Sequence, residues 1–201
     1  MTVVEESVVD GQGRSQAARR AMIDSQLRVS GVNDPAILAA FAAVPREDHV
    51  PTAAHAIAYI DRAVPLGDGT VLAPALTHGQ MLTAAGVTRA DHVLVIGRPG
   101  TYLAALVGVV GARVTLAAPD ADWSADAPYS LVLIDGAIEQ LPQGLIAVLA
   151  DQGRVVTGLI QRGVARLAMG RRVLGDVVLT SLGEADFAPL PEFAAPARWS
   201  F

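Results

Sequence analysis

The sequence predicts an α/β protein: a helical flank over residues 15–90 that leads into a mainly parallel sheet over 91–201. Three observations carry this. The runs His92–Ile96, Arg113–Ala117 and Leu131–Ile134 are short and apolar enough to be strands buried on both faces. Segments of helical periodicity connect them, as parallel neighbours require. Upstream of His92, apolar residues recur at helical spacing and no strong strand is present.

The elements follow in order. Residues 1–14 hold Asp10-Gly11-Gln12-Gly13 and little periodicity, and read as a mobile tail; residues 15–201 then form one domain. Ser15 to Val29 reads as an amphipathic helix with Ala18, Met22 and Leu27 on its inner face. Asn33 or Asp34 caps a second helix, Pro35 suits its first turn, and Ile37, Leu38, Phe41 and Val44 form its stripe. Pro45 ends it. Thr52 to Ile60 predicts a short helix, and Arg62 to Ala73 is turn-rich around Gly67-Asp68-Gly69. Pro74 opens a helix that runs to about Ala85. After His92–Ile96 a helix extends to about Val110, with Gly111 as its stop. Strand Leu131–Ile134 leads into Asp135-Gly136, a helix follows near Gln143–Ala150, and Arg154–Leu159 is a fourth strand. Val164–Met169 and Val173–Leu182 predict antiparallel strands at one sheet edge, before a Pro-rich irregular end from Phe187 to Phe201.

Composition narrows the function. Hydrophobic residues at 52% against charged residues at 17% describe a chain with a substantial core rather than a disordered one. The formal net charge of −5 argues against nucleic acid or an anionic membrane as partner. With no cysteine, disulfides, thiolate catalysis and Cys-ligated zinc are excluded. The four histidines lack metal-ligand spacing, so no metal is expected. No apolar run is long enough for a membrane span, the first residues carry no secretory pattern, and a cytoplasmic location is expected.

The candidate site is the turn after the first long strand, Ile96-Gly97-Arg98-Pro99-Gly100-Thr101-Tyr102. A tight glycine turn between a buried strand and a helix lets backbone N–H groups face a nucleotide-like ligand. Gly97, Gly100 and Tyr102 are the expected contacts, with Asp135 at the end of the neighbouring strand. Asp135 carries two readings, a ligand contact or a capping residue in a tight strand–helix loop. His78 is read as a helix-surface or interface residue, with a general base as the alternative. Arg46-Glu47 is read as an ion-pairing tie between the flank and the sheet.

Several stretches together resemble the protein-L-isoaspartate O-methyltransferase family, in a divergent bacterial branch. They are Met22-Ile23-Asp24-Ser25-Gln26-Leu27-Arg28, Gly31-Val32-Asn33-Asp34, Val44-Pro45-Arg46-Glu47 with Val50-Pro51, and Ala58-Tyr59-Ile60-Asp61 with Pro65-Leu66-Gly67. The Ile96-Gly97 turn with Tyr102–Leu106, Pro128–Ala137, Gln152–Val156 and Pro189–Phe193 complete the likeness, which covers roughly residues 18–201. The resemblance implies a Rossmann-like methyltransferase sheet with antiparallel C-terminal strands. It also implies S-adenosylmethionine as cofactor and the carboxylate of isoaspartyl residues in proteins as methyl acceptor.

Four departures from that family's pattern bear on chemistry. Pro99 and Thr101 stand where the second and third glycines of the turn belong; proline fixes φ and removes a donor, and threonine brings a branched side chain. Strand Arg113–Ala117 ends without the acid that accepts from ribose hydroxyls, the nearest being Asp120 behind Pro119. Between Ala117 and Leu131 lie thirteen residues, room for a crossover alone, so the sheet is shortened by one helix–strand unit. Leu72 occupies the place of a hydroxyl residue two positions before Pro74, and leucine neither donates nor accepts. Two functions stay open: weak or lost methyl transfer in a family member, or a catalytically inactive scaffold or interaction protein on the same fold. The second is expected to be homo-oligomeric through the shortened sheet's exposed edge.

Overall fold

The computed structural model describes residues 3–97 and 101–196. Helix α1 spans Val3–Met22, so residues 3–14, expected as a tail, are helical. The helix does not continue regularly to Val29. It loosens into a π-helical turn, Ile23–Leu27, and a 3₁₀ turn, Arg28–Ser30. The Ser25 hydroxyl donates back to the Ala21 carbonyl at 2.6 Å, a bond that competes with the helix ladder. The wider turn buries Ile23 and Leu27 together, and Gln26 Nε2 reaches the Tyr59 carbonyl at 2.9 Å. Gly31 ends the segment at φ +90°, which a side chain would resist.

Helix α2, Pro35–Ala43, starts as its sequence dictates: the Asp34 carboxylate accepts from the N–H groups of Ala36 and Ile37 at 2.8 and 3.1 Å. Two 3₁₀ segments follow, Arg46–His49 and Thr52–Ile57. A small antiparallel pair, β1 (Val64–Pro65) and β2 (Val71–Leu72), leads to α3, Ala75–Ala85.

The sheet is built from β3 (His92–Ile96), β4 (Arg113–Ala117), β5 (Tyr129–Ile138), β6 (Leu149–Gln161), β7 (Val164–Val173), β8 (Asp176–Val177) and β9 (Thr180–Glu184). Its order is β4-β3-β5-β6-β7-β8, with β9 also on β7. Pairs β3–β4, β3–β5 and β5–β6 are parallel, whereas β7 is antiparallel to β6, β8 and β9. Helix α4, Tyr102–Val110, joins β3 to β4, and α5, Gln143–Val148, joins β5 to β6.

β3 and β5 are apolar on both faces because both faces are covered, whereas β4, expected to be buried on both faces, is an edge strand with no buried residue. Val93, Val95, Leu131 and Leu133 pack with residues of α2, α3 and α4, while Leu94, Ile96, Val132 and Ile134 pack with α5 and Phe193. Among the described residues, no strand lies beyond β4, and residues 118–128 contain neither helix nor strand. The shortening read from thirteen residues is therefore present, and Trp123 covers part of the face instead, its indole N–H donating to the Ala118 carbonyl at 3.2 Å.

Strand β5 outruns β3. Beyond the Ile96–Ile134 pair, its neighbour on that side is the C-terminal segment, bridged at Pro189–Ala137. Ala137 N–H donates to Ala188 O and Leu190 N–H to Ala137 O, both at 2.8 Å. The stretch expected to be irregular thus closes one side of the sheet's C-terminal end.

Candidate functional site

The C-terminal end of β3 lies beside Ile134 of β5, which places Gly97 next to Asp135; Asp135 itself lies within β5 and not in the strand–helix loop expected from sequence. This is where open α/β sheets hold ligands. Gly97 is buried against Asp135: a Cβ added there would meet the Asp135 Cβ at 3.3 Å and the Thr101 Cγ2 at 3.7 Å. Arg98, Pro99 and Gly100 lie outside the described residues, so the expected Gly100 contact has no structural account.

Asp135 binds two side chains at once. Thr101 donates its hydroxyl to Oδ2 at 2.5 Å, and His78 Nε2 donates to Oδ1 at 2.9 Å. Desolvation raises the carboxyl's pKa, but the His78 charge and hydrogen bond, the Thr101 bond and the Arg46 charge outweigh it, so the pKa falls below the ordinary carboxylate range. Asp135 is therefore neither solely a cap nor an open ligand contact. It is held as a carboxylate by residues from α3 and from the start of α4.

Tyr102 opens α4 fully buried, with its ring at the centre of a polar cluster. The Arg46 guanidinium carbon sits 5.1 Å from the ring centroid, and the rings of His49 and His78 lie 5.2 and 5.8 Å away. Burial raises the Tyr102 hydroxyl's pKa although Arg46 pulls the other way.

Arg46 is 0% exposed. Its Nε donates to Ala58 O at 2.7 Å and its Nη2 to Ala73 O. Desolvation lowers its pKa, opposed by Tyr102, Asp135 and Tyr59. The expected Arg46–Glu47 tie is thus corrected. Glu47 turns the other way, accepting from Arg19 at 3.3 Å and from the Tyr59 hydroxyl. There desolvation raises the Glu47 pKa, but Tyr59, a backbone N–H, Arg19 and Ser15 bring it down on balance. The Tyr59 hydroxyl is pushed up to about 12, first by burial and then by its bond to Glu47.

Three buried atoms of this cluster have no hydrogen-bond partner among the described residues: Arg46 Nη1, His78 Nδ1 and the Tyr102 hydroxyl. Such atoms are costly and uncommon in packed interiors. They gather around Tyr102, at the end of the sheet where ligands bind.

The reading of His78 as a surface residue is corrected as well, since it is 0% exposed. Its position on the stripe of Ala75, Leu82 and Ala85 was the signal available in the sequence. Nothing local to Arg46 announced its burial, because its two carbonyl partners come from a turn and a loop distant in sequence. Asp120 is exposed, and Leu72 is buried at the position expected to carry a hydroxyl. Among the described residues, no cluster of acidic or histidine side chains is arranged for a metal ion, and no helix is long and apolar enough to cross a membrane.

Comparison with known proteins agrees with this architecture. The family described as Protein-L-isoaspartate(D-aspartate) O-methyltransferase (PCMT) matches residues 17–118. A protein-L-isoaspartate O-methyltransferase of Koribacter versatilis is 30% identical over 199 residues, covering 86% of this chain and 90% of its own length. One from Gloeobacter violaceus is 30% identical over 197 residues, covering 84% and 96%. In fold, the chain matches a crystal structure from Plasmodium falciparum with a TM-score of 0.71 at 12% identity, over 89% of this chain and 98% of the other. That structure is described as a protein-L-isoaspartate O-methyltransferase in complex with S-adenosyl-L-homocysteine. A second solved protein-L-isoaspartate O-methyltransferase matches with a TM-score of 0.73 at 16% identity, over 88% of this chain and 67% of the other. The chain belongs to the protein-L-isoaspartate O-methyltransferase family.

Proposed function

We propose that this chain has lost methyl transfer and serves as a self-associating interaction protein on a methyltransferase fold. One observation carries the reading: Asp135 spans Thr101 and His78 beside Gly97, so the chain's own side chains occupy the place next to that glycine. The other features tested against S-adenosylmethionine agree with it. β4 ends at Ala117 without a carboxylate for ribose hydroxyls, and β4 itself is the sheet's edge, so no further strand walls the adenine side among the described residues. Leu72 offers no hydroxyl toward a methyl acceptor. The residues present do not fit the cofactor. Folding survives such losses because the core does not depend on the ligand contacts. The cytoplasm is its place of action on this reading.

The second reading, methyl transfer to isoaspartyl carboxylates of proteins, is favoured by family membership and by the retained Gly97, Tyr102 and Asp135. Calorimetry separates the two. The expected result is no binding heat with S-adenosylmethionine or S-adenosylhomocysteine at millimolar concentration. Micromolar binding, followed by methylation of an isoaspartyl peptide, would overturn the first reading. The double variant Pro99→Gly with Thr101→Gly is expected to raise affinity for S-adenosylhomocysteine; no gain would assign the loss to the missing wall rather than the turn.

A further inference from the structure

Strand β4 is the terminal strand of the sheet, and its backbone offers a pattern that fits one partner. Arg113 N–H donates to Asp91 O at 3.1 Å, and Gly97 N–H donates to Ala117 O at 3.0 Å. Odd-numbered residues of β4 therefore turn their backbone groups toward β3. By the alternation of a parallel ladder, the N–H and C=O groups of Val114 and Leu116 point outward from the sheet. Natural edges are commonly guarded by proline, lysine, a bulge or a covering loop. Here the only charge on the strand is Arg113 at its first position. Leu116 is 38% exposed, and on α4, which packs against β4, Val109 is 46% exposed.

We infer that β4 pairs with β4 of a second copy of this chain, antiparallel, about a two-fold axis at Thr115. This rests on the self-association in the function proposed above and specifies where and how it occurs. In this register Val114 faces the partner's Leu116, and Leu116 the partner's Val114. Each of these pairs exchanges both N–H···O=C bonds, so every outward group of Val114 and Leu116 is satisfied. Thr115 faces the partner's Thr115 as the non-hydrogen-bonded pair. Val114 and Leu116 share the face covered by α4, so their pairing joins two apolar side chains across the seam.

Charge agrees with the antiparallel choice. Arg113, which pairs with Asp126 of its own chain at 3.3 Å but keeps its side chain 68% exposed, comes opposite the partner's Ala117, which leads into a turn carrying the exposed Asp120 and Asp122. The two-fold axis makes this opposite-charge approach twice. A parallel docking would set Arg113 beside Arg113. The hairpin end of the sheet is the rival surface, with Leu174 98%, Val178 77% and Leu182 51% exposed, but β8 spans only Asp176–Val177, and β9, as long as β4, pairs with β7 through a register shift at Leu167/Ala168 and ends on the exposed Glu184, two of the devices that guard an edge.

Sedimentation of the full chain from micromolar to hundreds of micromolar tests this, with calorimetry against S-adenosylhomocysteine run on the same sample. The expected species is a dimer whose Val114 and Leu116 amides exchange slowly, and faster on dilution. Leu116→Pro is tolerated by an outward-facing edge position but removes a donor from both symmetric pairs. It is expected to weaken dimerisation by about tenfold or more, and Leu116→Lys likewise. The wild-type chain has no cysteine, so Thr115→Cys reports the register without interference. Oxidation should link two copies through Thr115→Cys, because a non-hydrogen-bonded pair brings Cα atoms to about 4.5 Å. Arg113→Cys should give no link, its two copies lying about 13 Å apart.

A dimer untouched by both Leu116 variants, or one linked through Arg113→Cys and not Thr115→Cys, overturns this inference while leaving self-association intact. A chain that stays monomeric throughout overturns both, including the case where the edge captures an extended peptide instead. Cofactor binding in the calorimeter bears on the lost-catalysis reading alone.

Discussion

The two ends of the β3–β5 pair each carry a hydrogen-bonded carboxylate, Asp91 buried and Asp135 partly buried, and they are finished differently. At the N-terminal end, Asp91 accepts from Ser130 at 2.7 Å, from the Thr88 N–H and hydroxyl at 2.8 and 3.0 Å, and from Arg154. Ser130 Oγ in turn accepts from His92 N–H at 3.0 Å, and Arg154 also reaches the Gly86 carbonyl. Every charge there has a partner. At the C-terminal end, Asp135 accepts two bonds, but among the described residues Arg46 has no carboxylate in contact, and Arg46 Nη1, His78 Nδ1 and the Tyr102 hydroxyl are left over. The first cluster fastens the sheet to the turn after α3. The second keeps the incomplete valences of a place shaped for something else. Departures from local consistency collect where function once was or still is.

Arg46→Ala tests that contrast most severely. It strands the Ala58 and Ala73 carbonyls in the interior and leaves a hole beside Tyr102. The expected loss is about 3–5 kcal/mol in urea unfolding. A loss below about 1 kcal/mol would mean the cluster tolerates water where the packing shows none. Next come the two carboxylates compared with each other. Asp91→Ala should cost about 3 kcal/mol because it leaves Arg154 without its charged partner. Asp135→Ala should cost about 1 kcal/mol, since its direct partners are a hydroxyl and an imidazole and no guanidinium in contact loses its charged partner. The reverse order would break the distinction between a structural and a residual cluster.

Acid titration sharpens it. At both carboxylates burial raises the pKa and hydrogen bonds and cations lower it further, so the folded pKa ends below the unfolded one. Their contribution is complete above the unfolded carboxylate pKa of about 3.9 and is lost as pH falls through the lower folded values. The urea midpoint should decline below about pH 4, and Asp91→Ala should flatten that decline; an unchanged slope would remove Asp91 from the acid response. The smallest effect is expected at the β4 edge. Asp126→Asn breaks a 3.3 Å pair with Arg113 whose side chains are 68% and 47% exposed, and stability should move by no more than about 0.5 kcal/mol.

Local signals were legible where chain chemistry settles the matter alone. Asp34 and Pro35 start a helix because a carboxylate beside free N–H groups is stabilising in any context. Gly111 stops α4 at φ +94° for a similarly local reason. The strands His92–Ile96 and Arg113–Ala117 appear with the boundaries read from sequence. The helix expected through Val29 did not, because the backbone widens after Met22 into a π turn closed by Arg28 N–H on Ile23 O, which stacks residues five apart, so that Met22 and Leu27 are both buried. Gly97, just after β3, lies against Asp135 of β5, and Tyr102 of α4 reaches that place through His78. The bonds that fill it, from His78 and Thr101 to Asp135, span 57 and 34 residues of chain and leave no local mark.

Residue pattern and spacing, without any coordinates, determined the α/β class, the parallel run of strands, the shortened connection after Ala117 and the family likeness. Each follows from periodicity, turn chemistry or a count of residues, all short-range properties of a chain. Folding in three dimensions alone decided that Arg46 and His78 are interior, that Asp135 is held by two side chains, and that Val114 and Leu116 face outward from an unguarded edge. Those outcomes depend on which distant segments meet, and burial and hydrogen-bond partnership are properties of the meeting rather than of the residues that take part in it.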